Sequence, residues 1–571
     1  MNIEQVINRR FGILFAAVIL MVGSLFFGMF EKQVIDHNKY IALAEGQQRF
    51  EETELAQRGK IYARDSYFNQ NEIYPLAFDI KNYSLFAIPK QIVKKDETAK
   101  SLAELSGISE TEIFDKINND KLYLPALKKG IDYDTALRIR DKKITGVYIV
   151  PEYARFYPES SLASQVLGFV NAEGKGNYGF EGHYNFELQG TPGKVTGEKD
   201  TLGRIISYLD QKGAKDGTGY VLTIARPVQF FVEQKLAEAV QKYQADSGTV
   251  VIMDVKTGGI VAMASTPTFD PNKYQEHANQ DQNIFINPAI AHIYEPGSVF
   301  KPFTMAAALD TGTVTPETEN VFSNYTVVDG HEIHTALDVA YGKENMSQIL
   351  QHSDNVGMVW VGQQLGSEKF YDYINKFNFL DKTNIDLDSE APGSVPALKD
   401  WHNIGLATIS FGQGISITPI ELVSGYNALA NGGVYVYPRV ADKIIMPGGE
   451  EKNIEKRTGS RVIKEETATQ IKGMLVSVVE SGFGKKAGVP GYKVAGKTGT
   501  AQIPKSGGGY EENIFNHSFA GFAPADDPCF AMLVKLDKPK SSVYAESTAA
   551  PLFGEIASFL LNNYYRIPAS N

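Results

Sequence analysis

The pattern of apolar and polar positions divides the chain into three stretches. Residues 11–30, FGILFAAVILMVGSLFFGMF, carry no charged side chain and no polar stripe. As a helix this segment rises about 30 Å, which matches the hydrocarbon thickness of a bilayer. A buried core helix would show a polar edge. A cleaved signal peptide would have a shorter apolar run and a small-x-small site after it. Arg9 and Arg10 precede the segment, and Glu31, Lys32 and Asp36 follow. That asymmetry keeps residues 1–10 in the cytoplasm and sends everything after the span outward, on a single pass through the cell's inner (cytoplasmic) membrane.

Residues 31–57 are charged and helix-favouring, which predicts that the anchor helix continues outward as a stalk. A mixed region then runs to 217, with helical stretches such as TAKSLAELSG and strands such as ITGVYIVPEY. Glycine and charge in LDQKGAKDGTG, 209–219, mark a boundary. The stalk and this pedestal region therefore span 31–217, and a larger domain spans 218–571. In the latter, TGYVLTIARPVQFFVEQKLAEAVQKY predicts a strand followed by an amphipathic helix. SGTVVIMDVKTGGIVAMAS has two β-branched runs around Lys256-Thr257-Gly258-Gly259, a hairpin signal. HSFAGFAPADDPCFAMLVKLD predicts a second hairpin, and STAAPLFGEIASFLLNNYY a last amphipathic helix. Strands at both ends with helices between give an α+β class: a central antiparallel sheet covered by helices.

Composition narrows the function. A chain of 571 residues predicts two to four domains. With 43% hydrophobic and 11% aromatic residues it can fill sizeable cores. The net charge of −11, without a basic stripe, argues against nucleic acid as a partner. The single cysteine, Cys529, excludes an intrachain disulfide. Two aspartates precede it, so it reads as a small buried hydrophobe at the start of a strand rather than a nucleophile. His331 and His334 lack the H-E-x-x-H spacing of a zinc site, and VVDGHEIHT reads as a turn and an edge strand. Neither a metal nor a cofactor is expected.

The chemistry gathers in three ordered motifs. Ser298 is the one serine followed by lysine at the third position, Lys301, in YEPGSVFKPFT. Ser353-Asp354-Asn355 follows in QHSDNVGMVWVG, and Lys497-Thr498-Gly499-Thr500 in YKVAGKTGTAQI. S-x-x-K alone is a chance-level match, but the set in this order is a signature of serine acyl-enzymes. An earlier Lys256-Thr257-Gly258 fails on order and lies in a hairpin turn. A serine hydroxyl needs a neighbouring base, and Lys301 shares its face of a helical turn. A lysine buried near other cations can act while neutral. Ser353 can relay a proton, Asn355 can orient Lys301 and a substrate amide, Lys497 adds positive charge, and Thr498 and Thr500 can hold a carboxylate. No G-x-S-x-G elbow surrounds Ser298, which speaks against a Ser-His-Asp hydrolase.

These residues resemble the class B penicillin-binding proteins, and the resemblance covers nearly the whole chain. RGKIYARD (58–65), RFYPESSLASQVLGFVN and GNYGFEGHYNFELQGTPG look like the family's pedestal segments, with Arg155, Gly179 and Glu181 in place. SFGQGISITPIELVSGYNALANGG is close to the catalytic domain's pattern, although Ala225 and Glu421 stand where aspartate and glutamine are usual. The resemblance implies a D,D-transpeptidase of peptidoglycan synthesis. Ser298 would attack a stem pentapeptide and would also be acylated by β-lactams. The oxyanion hole would be the N–H groups of Ser298 and Thr500. It implies as partners a SEDS-type glycosyltransferase and other membrane proteins of the division machinery. SDNVGM and NHSFAGFAPADDP look more like the division-specific branch than the elongation branch. A β-lactamase would need a deacylating glutamate in an E-x-x-L-N stretch, and none occurs between 356 and 496. An inactive scaffold would show a damaged motif.

Overall fold

The computed structural model describes residues 3–41, 49–69, 71–199, 205–278, 280–505 and 507–569. The chain divides into two compact units, one of residues 1–57 with 190–216 and one of residues 58–189 with 217–571.

In the first unit, the apolar N-terminal run forms the helix Ile3–Phe30, extended by a wider turn over Glu31–Ile35. Its side chains are exposed, and it is the one helix among the described residues long and apolar enough to cross a membrane. The helical stalk expected to residue 57 is met only in part: after a bend at Asp36 residues 37–41 are helical, but the later residues depart from it. Arg49–Glu54 is a strand, paired antiparallel with Gly193–Lys199, which in turn pairs with Ile205–Lys212. Helix propensity there yields to strand pairing, as tertiary context commonly overrides it. Residues 42–48 of that stretch lie outside the described residues.

The second unit contains two large sheets. One has seven strands, in the order Glu451–Asn453, Ala441–Ile445, Gly219–Ala225, Ile61–Arg64, Ile73–Ala87 and Lys128–Ile131, with Val147–Phe156 also on Ile73–Ala87. Gly219–Ala225 runs parallel to Ile61–Arg64. At one end of it, Arg58 and Arg155 both grip Glu181, at 2.7 and 2.6 Å, in a buried network that also takes in Asp79.

The other sheet has five strands, all antiparallel: Ile260–Thr266, Ser247–Asp254, Phe530–Asp537, Tyr510–Ala523 and Ala495–Pro504. Its first two strands and last three come from opposite ends of the 218–571 stretch, as the pattern predicts. Successive side chains on a strand face opposite ways, and here both ways lead into a core. Val250, Ile252, Met532 and Val534 pack with Val232 and Leu236 of the Arg226–Tyr243 helix and Phe553 of the Ala549–Phe559 helix. Val251, Met253, Ala531 and Leu533 join Leu422 and Tyr426 of the Pro419–Ala430 helix. Each fully buried side chain of this size contributes about 1.5–3 kcal/mol. Covering on both faces explains why these strands read as unbroken apolar runs rather than as alternation.

Smaller expectations also meet the structure. The turn at Lys256-Thr257-Gly258 is held by Asp254 Oδ1, which accepts from the N–H and the hydroxyl of Thr257 at 2.8 and 2.6 Å. Tyr325–Val328 and His331–His334 pair as a two-stranded hairpin. Cys529 is half-buried just ahead of its strand, and burial pushes its thiol up to about 11.

Candidate active site

Ser298 lies on a tight 3₁₀ turn, Gly297–Phe300, that leads into the helix Lys301–Asp310. Residues three apart eclipse on such a turn, so Ser298 and Lys301 share a face. The turn is clamped from two sides. Gly297, at φ +61°, donates its N–H to the carbonyl of Gly412 at 2.9 Å. A Cβ on Gly412 would stand 2.2 Å from the Gly297 oxygen, so only glycine fits that approach. Behind it, the buried Tyr426 hydroxyl donates to the Val299 carbonyl at 2.8 Å.

The third motif occupies the edge strand Ala495–Pro504, against this turn. A Cβ on Gly499 would meet Ser518 Oγ at 2.5 Å and Val299 Cγ1 at 3.0 Å. Glycine at 499 therefore lets the strand lie close to the serine's turn. Lys497 is fully buried, while Thr498 is nearly so. The Thr500 hydroxyl accepts from the Ala545 N–H at 3.2 Å, which leaves its own proton free to donate.

The second motif links the other two. Ser353 is held at φ +55°, a conformation rare for a residue with a side chain. Asp354 beside it caps the Asn355–Leu365 helix, accepting from Val356 and Gly357 N–H at 2.8 and 3.0 Å. This cap fixes the direction of both neighbours. Asn355 Oδ1 accepts from Lys301 Nζ at 2.7 Å, and its Nδ2 donates to the His334 carbonyl at 2.9 Å. The amide is thereby oriented without ambiguity.

Two lysines converge on one hydroxyl. Lys301 Nζ reaches the Ser353 carbonyl at 2.6 Å and Ser353 Oγ at 3.3 Å. Lys497 Nζ reaches the same Oγ at 3.0 Å, with the Thr498 carbonyl at 3.1 Å. Burial depresses Lys301 to about 7, against the opposing pull of Asp354 and Glu344. Burial, and then the neighbouring Lys301, hold Lys497 well below the usual lysine range. A neutral Lys301 has two N–H donors rather than three. It must release one of its three contacts, and the freed lone pair can accept a proton. No hydrogen bond joins Lys301 to Ser298 Oγ among the described residues. Catalytic hydrogen bonds often tighten only when substrate binds.

The structure thus gathers Ser298, Lys301, Ser353, Asn355, Lys497, Thr498, Gly499 and Thr500 about the serine's turn. It also adds residues the motifs do not mark. Glu295, buried, accepts from Gly414 N–H at 3.0 Å and from the Tyr510 hydroxyl at 3.1 Å. Gln413 donates to Gln502 Oε1 at 3.1 Å, tying the loop behind the serine to the edge strand. Glu344, fully buried, lies near Asp354 and Lys301. Glu295 adjoins the first motif and could have been found from it, whereas Glu344 carries no local signal.

Comparison with known proteins points one way. Residues 248–558 match the model of the penicillin binding protein transpeptidase domain, and residues 53–222 that of the penicillin-binding protein dimerisation domain. The chain is 36% identical over 483 residues to the stage V sporulation protein D of Bacillus subtilis, covering 83% of this chain and 74% of that protein. It is 31% identical to the peptidoglycan D,D-transpeptidase FtsI of Buchnera aphidicola, over 97% of this chain and 95% of that one. Among solved structures, penicillin binding protein 3 of Mycobacterium tuberculosis complexed with aztreonam superposes with a TM-score of 0.71 at 28% identity, covering 91% of this chain and 98% of that one.

Proposed function

Because the chain belongs to the class B penicillin-binding proteins, the peptidoglycan D,D-transpeptidases, we propose that Ser298 is its nucleophile and assign the surrounding residues their parts. The protein is a serine-type transpeptidase sensitive to β-lactams. Ser298 Oγ attacks the carbonyl of the penultimate D-alanine of a stem pentapeptide, and neutral Lys301 takes its proton. The N–H groups of Ser298 and Thr500 receive the developing oxyanion. Ser353, bridging both lysines, passes the proton to the departing D-alanine amine. A neighbouring stem's amine then attacks the acyl-enzyme, and the same path returns the proton to Ser298. Thr498 and Thr500 hold the terminal carboxylate beside Lys497, and Asn355 holds a substrate amide.

The observation that carries this reading is the shared hydroxyl of Ser353, met by Lys301 and Lys497 at 3.3 and 3.0 Å beside the serine's turn. Labelling by a fluorescent penicillin tests it. Wild-type protein should label and Ser298→Ala should not; an unlabelled wild type would sink the reading.

The finer biology follows as part of the same proposal. The helix Ile3–Phe30 anchors the protein with its N-terminus in the cytoplasm and its catalytic domain, 218–571, outside. Residues 31–217 form the stalk and pedestal, which meet a SEDS-type glycosyltransferase and other division proteins. The wall made is septal: a fluorescently tagged copy should gather at the division site, and a uniform side-wall distribution would reassign it to elongation.

A further inference from the structure

The hairpin of Ala495–Pro504 and Tyr510–Ala523 runs past the serine's turn and beyond it. Two close approaches seat its first strand there. A Cβ on Gly499 would lie 3.0 Å from Val299 Cγ1 and 3.1 Å from the Pro296 oxygen, and a Cβ on Gly297 would lie 3.0 Å from that of Ala501. Past Ala501, side-chain hydrogen bonds take over. Gln413 donates to Gln502 Oε1, and the Tyr510 hydroxyl donates to Glu295 Oε2, each at 3.1 Å. The tip beyond is exposed at Pro504, Lys505 and Gly507–Gly509, with Gly508 and Gly509 at φ +91° and +76°. Among the described residues from 503 to 512, the Tyr510 hydroxyl makes the one side-chain hydrogen bond to the rest of the chain.

Glu295, three residues before Ser298, is itself firmly seated and only 9% exposed. Its neighbour Tyr294 exchanges two backbone hydrogen bonds with Ile417, both at 3.0 Å, and Gly297 donates to the Gly412 carbonyl. Segment 412–417 therefore runs beside 294–297. Glu295 Oε1 accepts from the Gly414 N–H at 3.0 Å, which leaves Oε2 for Tyr510. One carboxylate thus joins the serine's turn, the segment beside it and the far end of the hairpin. A buried carboxylate oxygen without a donor is costly, so the acid favours the closed hairpin.

We propose that Tyr510 and Glu295 are positioning residues for acylation: their hydrogen bond latches the hairpin to the serine's turn and sets the spacing between the Ser298 and Thr500 N–H groups. Thr500 lies two residues before Gln502 on the first strand, and Tyr510 pairs with Pro504 at the end of that strand. A hairpin that lifts at its tip carries Thr500 away from Ser298. Misplacing a reacting group by about 1 Å can cost about 10²-fold. The latch needs the contact rather than the charge. A glutamine at 295 can keep both bonds, its oxygen accepting from Gly414 and its amide N–H donating to the tyrosine oxygen.

The proposal rests on the acyl-enzyme reading, and one assay separates the two. Stopped-flow acylation of full-length protein in detergent by a chromogenic cephalosporin gives the limiting rate and the apparent dissociation constant separately. Tyr510→Phe and Glu295→Ala should each lower the limiting rate about tenfold or more, with the dissociation constant within about threefold of wild type. Glu295→Gln should restore the rate to within about threefold of wild type. The double variant Glu295→Ala with Tyr510→Phe should fall no more than about twofold below Glu295→Ala alone, because one contact is lost in both. A Tyr510→Phe rate within about twofold of wild type overturns the proposal, as do single losses that multiply in the double variant. A loss in Glu295→Gln as deep as in Glu295→Ala also overturns it, since charge would then be what matters. If Glu295→Ala does not fold, Tyr510→Phe and Glu295→Gln, which keep the bulk of both side chains, decide between the same outcomes. A wild type that is not acylated would overturn the acyl-enzyme reading and this proposal with it.

Discussion

Lys301 and Lys497 donate to the same oxygen, the hydroxyl of Ser353, at 3.3 and 3.0 Å. Two fully charged ammonium groups on one buried hydroxyl would repel each other strongly, so the arrangement favours a neutral amine. Ser353 Oγ, accepting from both, keeps its own O–H for a third direction, toward the group that leaves.

The pH dependence of acylation follows from Lys301. Its value falls to about 7 through burial, and the reactive form is the neutral one. The rate constant for acylation by a chromogenic cephalosporin should rise through a midpoint near pH 7 and then level off. A rate that stays flat well below that pH would remove Lys301 from the role of base.

Asn355→Asp places a negative charge where the amide oxygen now stands, 2.7 Å from Lys301 Nζ. An opposite charge at that distance favours the ammonium form, so the sign is upward. The acid limb should move up by about one unit or more, and acylation at pH 7 should fall about tenfold. Stopped-flow acylation across pH checks it, and an unmoved midpoint would contradict it.

Gly499→Ala tests the close approach of strand and turn. The added Cβ would meet Ser518 Oγ at 2.5 Å and Val299 Cγ1 at 3.0 Å. Pushing the edge strand away from the Ser298 turn misplaces one half of the oxyanion hole. Acylation should drop about 10²-fold, with a change in thermal midpoint much smaller than that loss would suggest. Parallel measurements of acylation rate and thermal unfolding separate the two effects.

Glu181 bears on stability rather than chemistry. Burial alone would raise its carboxyl, but Arg155 and Arg58 overcome that and hold it below the usual range. A depressed acid stabilises the fold above its unfolded value, near 4.3, and that stabilisation is lost as pH falls through the folded value. Glu181→Gln removes the charge that two buried guanidinium groups share, leaving Arg155 only its longer pair with Asp79, and should cost about 3–5 kcal/mol near pH 7. Urea unfolding should show this cost shrinking below about pH 4, where the wild type loses its own advantage.

Much of the site was legible because its chemistry is written locally. Ser298 and Lys301 are three apart, and the order of the later motifs excluded the stray Lys256-Thr257-Gly258. Gly499 was legible as part of a motif, but its reason, the Val299 side chain pressing on it, belongs to tertiary structure. Glu344 was not legible, since GKEN carries no pattern and its neighbour Asp354 sits on another element. Val250 and Val251 point into different cores, which a run of apolar residues cannot reveal. The parallel pairing of Gly219–Ala225 with Ile61–Arg64 was hidden for a related reason: periodicity identifies strands but not their distant partners. Arg49–Glu54 misread as helix because its charged residues suit a helix, and pairing with Gly193–Lys199 decided otherwise.

The most direct test of the central claim is to catch the acyl group on its residue. Full-length protein would be incubated with a thioester analogue of a D-alanyl stem peptide, digested, and mapped by mass spectrometry before and after addition of a D-amino acid acceptor. The account predicts an acyl mass on the peptide carrying Ser298, which disappears as the acceptor is converted to a peptide ending in the new D-amino acid. Turnover with Ser298 unmodified throughout, or an acyl group on another side chain, would contradict it.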